Sequence, residues 1–124
     1  LLDTGILVRS LRGDVAINAR IANEPLLYTS SIVLGELYYG AFGSPHEADD
    51  VRAVDELTQR MTVLIADMET ARQYGRVKRQ QRLKGQMLPE NDLWIAATAI
   101  QYGITLAGRD AHFTWISGLN YEQW

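Results

Sequence analysis

Apolar residues along this chain fall into short runs separated by longer stretches with a helical period. Leu1 and Leu2 read as the end of a short buried strand, and Ile6 to Leu11 as one or two turns of helix. Gly13-Asp14 breaks the chain, VAINARIA (15–22) has helical spacing, and Leu26 to Thr29 is a second strand candidate. Either Ser30 or Ser31 suits the N-cap of the helix IVLGELYYGAF, which stops near Gly43-Ser44-Pro45. Val51, Val54 and Leu57 recur every three residues among charges and predict an amphipathic surface helix over 46–60. TVLIA (62–66) is β-branched and apolar and predicts a buried strand. Asp67 is placed to cap a long helix running to about Lys84, and Gly85 to Pro89 break it. From Asn91, NDLWIAATAIQYG is apolar almost all round and predicts a helix closed by Gly103. Ile104 to Ala107 is a further short strand, and the last residues predict a short helix or turn with an edge strand.

Short apolar strands alternating with helices predict an α/β protein: a three-layer α/β/α sandwich around a central, mainly parallel sheet. With 124 residues the chain fits one domain, 1–124, and it contains no repeat, low-complexity tract or linker. No apolar run approaches the roughly 20 residues of a membrane span, and no signal peptide is visible. Cysteine is absent, which removes disulfides and thiolate metal sites and fits a cytoplasmic protein without a membrane partner. The chain opens directly on a strand-like run at Leu1, so one to a few native residues are expected to precede it.

Charge sharpens this picture. The net charge is −3, yet half of the 12 basic residues fall between Arg72 and Lys84, with no acid among them. Arg72, Arg76 and Arg79 follow helical spacing on one face, with Lys78 and Arg82 beside them; a simple solvated face is the rival reading.

Four acids stand out by position. Asp3 and Asp110 each follow a predicted strand, and functional groups of open parallel sheets gather beyond the carboxyl ends of the strands. Glu36 shares a helical stripe with Ile32, Tyr39 and Gly40, and Asp92 leads the row Ile95, Ala96, Ala99. A buried lone carboxylate is costly unless neutralised, paired or bound to a cation. Four converging acids without a compensating Lys or His point to a divalent metal, and all-oxygen donors suit Mg²⁺ or Mn²⁺. Each acid also has a plainer role: Asp92 beside a helix dipole, Asp3 as a cap, Asp110 as a loop acid. Asp3-Thr4-Gly5 also matches the triplet of aspartic proteases, and ITLAGRD (104–110) loosely matches a second segment of the retroviral type. Those enzymes are almost wholly β, whereas residues 31–103 carry helical periods and no flap hairpin, so that reading is rejected.

LLDTGIL, SIVLGELYYG, LPENDLWIAATA and LAGRDAHF, in this order and spacing, resemble the PIN-domain nucleases. Within them they are most similar to the VapC toxins of toxin–antitoxin pairs, over nearly the whole chain to the terminal GLNYEQW. The resemblance carries the family's four acidic positions onto Asp3, Glu36, Asp92 and Asp110. It implies an endoribonuclease using Mg²⁺ (Mn²⁺ as alternative), RNA as substrate, a cognate antitoxin partner and a homodimer. Asp3, Asp92 and Asp110 are then the metal ligands, and Glu36 completes the set or orients the attacking water. Two positions depart from the family: Gly5, where Asn or Ser is usual, and Gly108, where Thr or Ser is frequent. Both remove a polar side chain near the acids and are expected to loosen metal or water positioning. They are also the only support for the alternative, a degenerate domain that binds RNA or protein without cleaving. Thr4 is a candidate supporting hydroxyl and Asn91 a candidate orienter of Asp92. His112 is read as a loop histidine rather than a phosphate contact, and Trp94, Tyr38 and Tyr39 as core or interface.

Overall fold

The computed structural model describes all 124 residues. Six helices, α1 (Thr4–Leu11), α2 (Val15–Asn23), α3 (Ser31–Phe42), α4 (Glu47–Thr58), α5 (Met68–Lys84) and α6 (Glu90–Tyr102), carry most of the chain. Four three-residue strands run between them: β1 (Tyr28–Ser30), β2 (Thr62–Leu64), β3 (Leu106–Gly108) and β4 (Tyr121–Gln123). β1 pairs parallel with β2, and β3 pairs parallel with β4. Residues 1–3 join the two pairs. Leu2 N–H donates to the Tyr28 carbonyl at 2.8 Å, while Asp3 N–H donates to Ala107 and Ala107 N–H to Leu1 at 2.9 and 2.8 Å. The start of the chain therefore lies between β1 and β3, bridged parallel to β3 at Leu2 and Ala107.

Side chains at the ends of the elements explain their bounds. Ser30, not Ser31, caps α3, its Oγ accepting from Val33 N–H at 3.2 Å. Asp67 and Thr70 close a reciprocal capping box at the start of α5. At the far ends of α5 and α6, Gly85 and Gly103 adopt φ of 67° and 62°, a left-handed turn that glycine enters without steric cost. α6 makes its most extensive helix packing with α5, and its Ala96, Ala97 and Ala99 are buried. Ile6, Leu7, Val33, Ile95, Leu106 and Phe113 are wholly buried in the same core.

Several boundaries differ from the sequence reading. The first helix begins at Thr4, directly after the acid, and β1 starts at Tyr28 because Leu26 lies in solvent. β2 stops at Leu64, and Ile65 is 69% exposed, so TVLIA is a three-residue strand whose apolar tail leaves the sheet. Tyr39 is 83% exposed and Gly40 is also outside the core, whereas Ile32 packs against it, so the Glu36 stripe is covered only at its start. The end of the chain forms a 3₁₀ helix, Ala111–Trp115, followed by β4 at the edge. No helix is long and apolar enough to cross a membrane.

Removing the Ser30 hydroxyl leaves an unpaired N–H in the first turn of α3. Ser30→Ala is expected to lower stability by about 1 kcal/mol, read as a shift in the urea midpoint with an unchanged slope.

Candidate active site

The hydrogen bonds of residues 1–3 deliver Asp3 to the carboxyl end of the strands, between β1 and β3. Its side chain is almost fully enclosed, at 4% exposure. It stands at the N-cap position of α1 without a well-formed capping hydrogen bond. Burial is the main reason its carboxyl is pushed up to about 6; the charges of Asp92 and Asp110 add to this, and the N–H groups of Thr4 and Gly5 oppose it. Asp92, in the first turn of α6, is also raised, first by burial and then by Glu36 and Asp110, against the lowering influence of His112. Asp110 follows β3 and precedes the 3₁₀ helix, exposed and without a hydrogen-bonding partner among the side chains. The four acids anticipated from sequence thus share one electrostatic neighbourhood.

They do not form a closed cage. No three His, Asp or Glu side chains come close enough to hold an ion among themselves, and the partners of Glu36 and Asp92 show why. Glu36 is held from two sides, by the Thr4 hydroxyl on one carboxylate oxygen and by Asn91 Nδ2 at 2.8 Å on the other. Asn91 therefore orients Glu36, not Asp92 as the sequence suggested. Asp92 Oδ2 lies 2.7 Å from His112 Nε2. The expectation of four acids without any compensating histidine is corrected at this point: Asp92 has one, whereas Asp3 and Asp110 have none.

His112 was passed over because a histidine in a loop has many uses. Its position two residues after Asp110 becomes informative only once the 3₁₀ turn brings its ring back over the first turn of α6. There it also packs against Phe113, with ring centres 4.9 Å apart. Trp94 is half-buried and stacks on Tyr74 at 4.1 Å, in keeping with a packing role. Tyr38 donates to Asp55 on α4, while Tyr39 lies outside the core at 83% exposure.

The two glycines behave differently. A Cβ on Gly5 would meet only Asp3 Oδ2, at the ordinary distance of 3.7 Å, so a side chain there fits beside the acid. A Cβ on Gly108 would lie 3.2 Å from the ring of Tyr121 and 3.4 Å from Asp3 Cβ, so that space is already taken. Over Glu36 runs an open depression lined by Thr4, Ser31, Ile32, Glu36, Tyr39 and Asn91.

Of the six basic residues on α5, three are committed within the chain. Arg72 pairs with Glu69, Lys78 with Glu90, and Lys84 donates to the Trp115 carbonyl and Ser117. Arg76, Arg79 and Arg82 are exposed and have no ion pair, and they recur every three residues along the helix.

Asp3 gives the site a signature in stability. The folded protein holds this proton more tightly than the unfolded chain, so stability falls as pH rises from about 4 to about 6, and the cost is complete above that. Asp3→Asn is expected to raise stability by roughly 2–3 kcal/mol at neutral pH and to leave it unchanged below pH 4. Thermal melts of the two proteins across pH test this; a gain that persists in acid would contradict it.

The PIN-domain family model matches residues 1–119. Ribonuclease VapC1 of Haemophilus influenzae (strain R2866) is 30% identical, the match covering all of this chain and 96% of that protein. Among solved structures, VapBC2 from Rickettsia felis bound to a DNA fragment from its promoter superposes with a TM-score of 0.93 at 27% identity, covering 99% of this chain and 96% of that one. VapBC-1 from nontypeable Haemophilus influenzae gives 0.90 at 30% identity with the same coverage. With the acids of its four motifs gathered beyond the parallel strands, the chain belongs to the PIN-domain family and, within it, to the VapC proteins.

Proposed function

We propose that this chain is a divalent-metal-dependent endoribonuclease and the toxin of a toxin–antitoxin pair. One observation carries the reading: Asp3, buried at the carboxyl end of the strands, and Asp110, just after β3, have no side-chain partner of opposite charge, while Asp92 beside them is met only by His112. An acidic pocket of this kind repels an RNA backbone unless a cation reverses its sign. The donor set fits such an ion, since the acids offer carboxylate oxygens suited to Mg²⁺ or Mn²⁺, while the one imidazole at the site, His112, is engaged with Asp92. The curated relative named above is called a ribonuclease, which agrees in reaction class.

In this reading Asp3, Asp92 and Asp110 would hold the ion, and His112 fixes the direction of the Asp92 carboxylate. A bound ion there would supply positive charge toward the scissile phosphate and would ease ionisation of the attacking water. Glu36, fixed by Thr4 and Asn91, is aimed to accept a hydrogen bond from the attacking water. Water would attack phosphorus while giving up a proton to solvent, the bond to the leaving oxygen would break, and the leaving oxygen would take up a proton from solvent. No protein nucleophile takes part. Arg76, Arg79 and Arg82 attract RNA phosphates over a distance.

The structural neighbours are VapBC complexes, and this chain has a surface suited to an antitoxin segment. A groove between α1, α3 and α4 is lined by Val8, Leu11, Leu37, Ala41 and Val54, with Glu36 at its edge. A basic side chain inserted along it reaches Glu36 and stands in for the cation, switching the enzyme off. Helices on both faces of the strands in a three-layer arrangement, a homodimer and a cytoplasmic location complete the proposal.

The absence of a closed acidic cage favours one rival, a degenerate domain that binds without cleaving. Pure protein with RNA and Mg²⁺ separates the two. Cleavage is expected, with loss of at least about 100-fold in EDTA or in Asp92→Asn; cleavage surviving both would exclude the metal mechanism, and none in any condition favours the rival. Replacing Arg76, Arg79 and Arg82 together with Ala is expected to weaken RNA binding for all sequences alike. It should also flatten the salt dependence of log K by about 2, from three lost phosphate contacts to a single strand.

A further inference from the structure

The 3₁₀ turn after Asp110 alternates between core and solvent. Phe113 and Ile116 are buried, while Trp115 between them turns outward and is 43% exposed. Its backbone is tied down all the same. The buried Gln81 of α5 donates through Nε2 to the Trp115 carbonyl at 3.1 Å, and Lys84 Nζ donates to the same oxygen at 3.1 Å. Lys84 also donates to Ser117 Oγ at 3.0 Å. An exposed indole on a backbone held in this way presents a fixed surface.

A half-exposed tryptophan by itself is ordinary, because much of any protein surface is apolar. Its neighbours set this one apart. Trp94 stacks on Tyr74, and Trp124 lies under the Arg20 guanidinium at 4.2 Å, so each has a ring face covered within the chain. The only ring against Trp115 is His112, tilted by 57° with centres 6.2 Å apart, and no cation lies over its face. That histidine is the one bonded to Asp92, so the open indole stands one ring away from the acids. At its backbone lies Lys84, whose two acceptors are neutral and leave its charge uncompensated. Arg82 and Arg79, exposed and without an ion pair, continue that charge back along α5.

We infer that Trp115 is a base-stacking residue of this site: an unpaired base next to the scissile phosphate lies against its open face, with Lys84 on the adjoining phosphate. The inference rests on the ribonuclease reading above and adds the residue that seats the strand. Every base has a flat face to lay on an indole, and a cation beside the ring holds the backbone, so the contact needs no particular sequence. A base inside a duplex is already stacked on its neighbours, so the contact favours unpaired nucleotides. An apolar protein segment would gain nothing from the charge of Lys84.

The test uses the full chain in Mg²⁺ and a labelled RNA oligomer with a phosphorothioate backbone, which resists hydrolysis, followed by fluorescence anisotropy. Trp115→Ala is expected to bind the single strand about 10-fold more weakly and the same strand annealed to its complement as wild type does. Trp115→Phe is expected to retain most of the affinity, and neither change alters the salt dependence, because no charge is removed. Lys84→Met is expected to flatten the slope of log K by about 0.7, the share of one phosphate on a single strand. Indole emission is expected to be quenched by the single strand in wild type and much less in Trp115→Phe, a comparison that holds even where Trp115→Ala does not fold. Equal single-strand affinity in wild type and Trp115→Ala, an equal loss on the duplex, or undiminished quenching in Trp115→Phe would each overturn the stacking role. An unchanged salt slope in Lys84→Met would overturn the part given to Lys84. Wild type that binds neither form of RNA would overturn the ribonuclease reading itself and this inference with it.

Discussion

The structure depends on three hydrogen bonds made by the first three residues. Leu2 N–H reaches Tyr28, Asp3 N–H reaches Ala107, and Ala107 N–H reaches Leu1. Without them β1–β2 and β3–β4 are two separate two-stranded ribbons, each too small to hold itself together in water. With them the strands share a core under Ile6, Leu7 and Ile95. The same bonds fix the direction in which the chain leaves at Asp3. A single local arrangement thus sets both the continuity of the fold and the placement of its most enclosed acid.

That placement has a cost that the fold does not relieve. Asp3 is buried near two other acids, and only backbone N–H groups at the start of α1 moderate its charge. Glu36 and Asp92 are treated differently, each tied by neutral or histidine partners that set orientation. The site therefore divides into acids that are aimed and acids that are left in tension. In the proposed reading, the stability given up at Asp3 is what a site held ready for positive charge requires.

Much of this was legible before any coordinates. The helical periods of residues 31–42 and 68–84, the capping role of Asp67 and the stop at Gly103 follow from local chemistry, and local chemistry survives folding. The errors cluster where burial depends on distant neighbours. Ile65 has the composition of a core residue but no partner strand beyond Leu64, and Tyr39 lies on the uncovered end of an apolar stripe. Asn91 sits next to Asp92 in sequence, yet at the start of a helix adjacent side chains diverge, and its amide turns to Glu36 across the cleft. His112 and Tyr121 carried no signal of their own. Their places come from a 3₁₀ turn and a strand register that bring them to Asp92 and past Gly108.

By itself, then, the sequence determined an α/β fold and the position of the helices, and it singled out the four acids as candidates. Each of these is written in residue type and in spacing along one element. Which acids are paired, which remain uncompensated, and which residue fills the space left at Gly108 were decided by tertiary structure. Those outcomes turn on contacts between elements far apart in the chain, such as Thr4 with Glu36, Asp92 with His112 and Gly108 with Tyr121. Electrostatic and steric effects at a few ångströms have no counterpart in sequence separation, so only the folded chain could assign them.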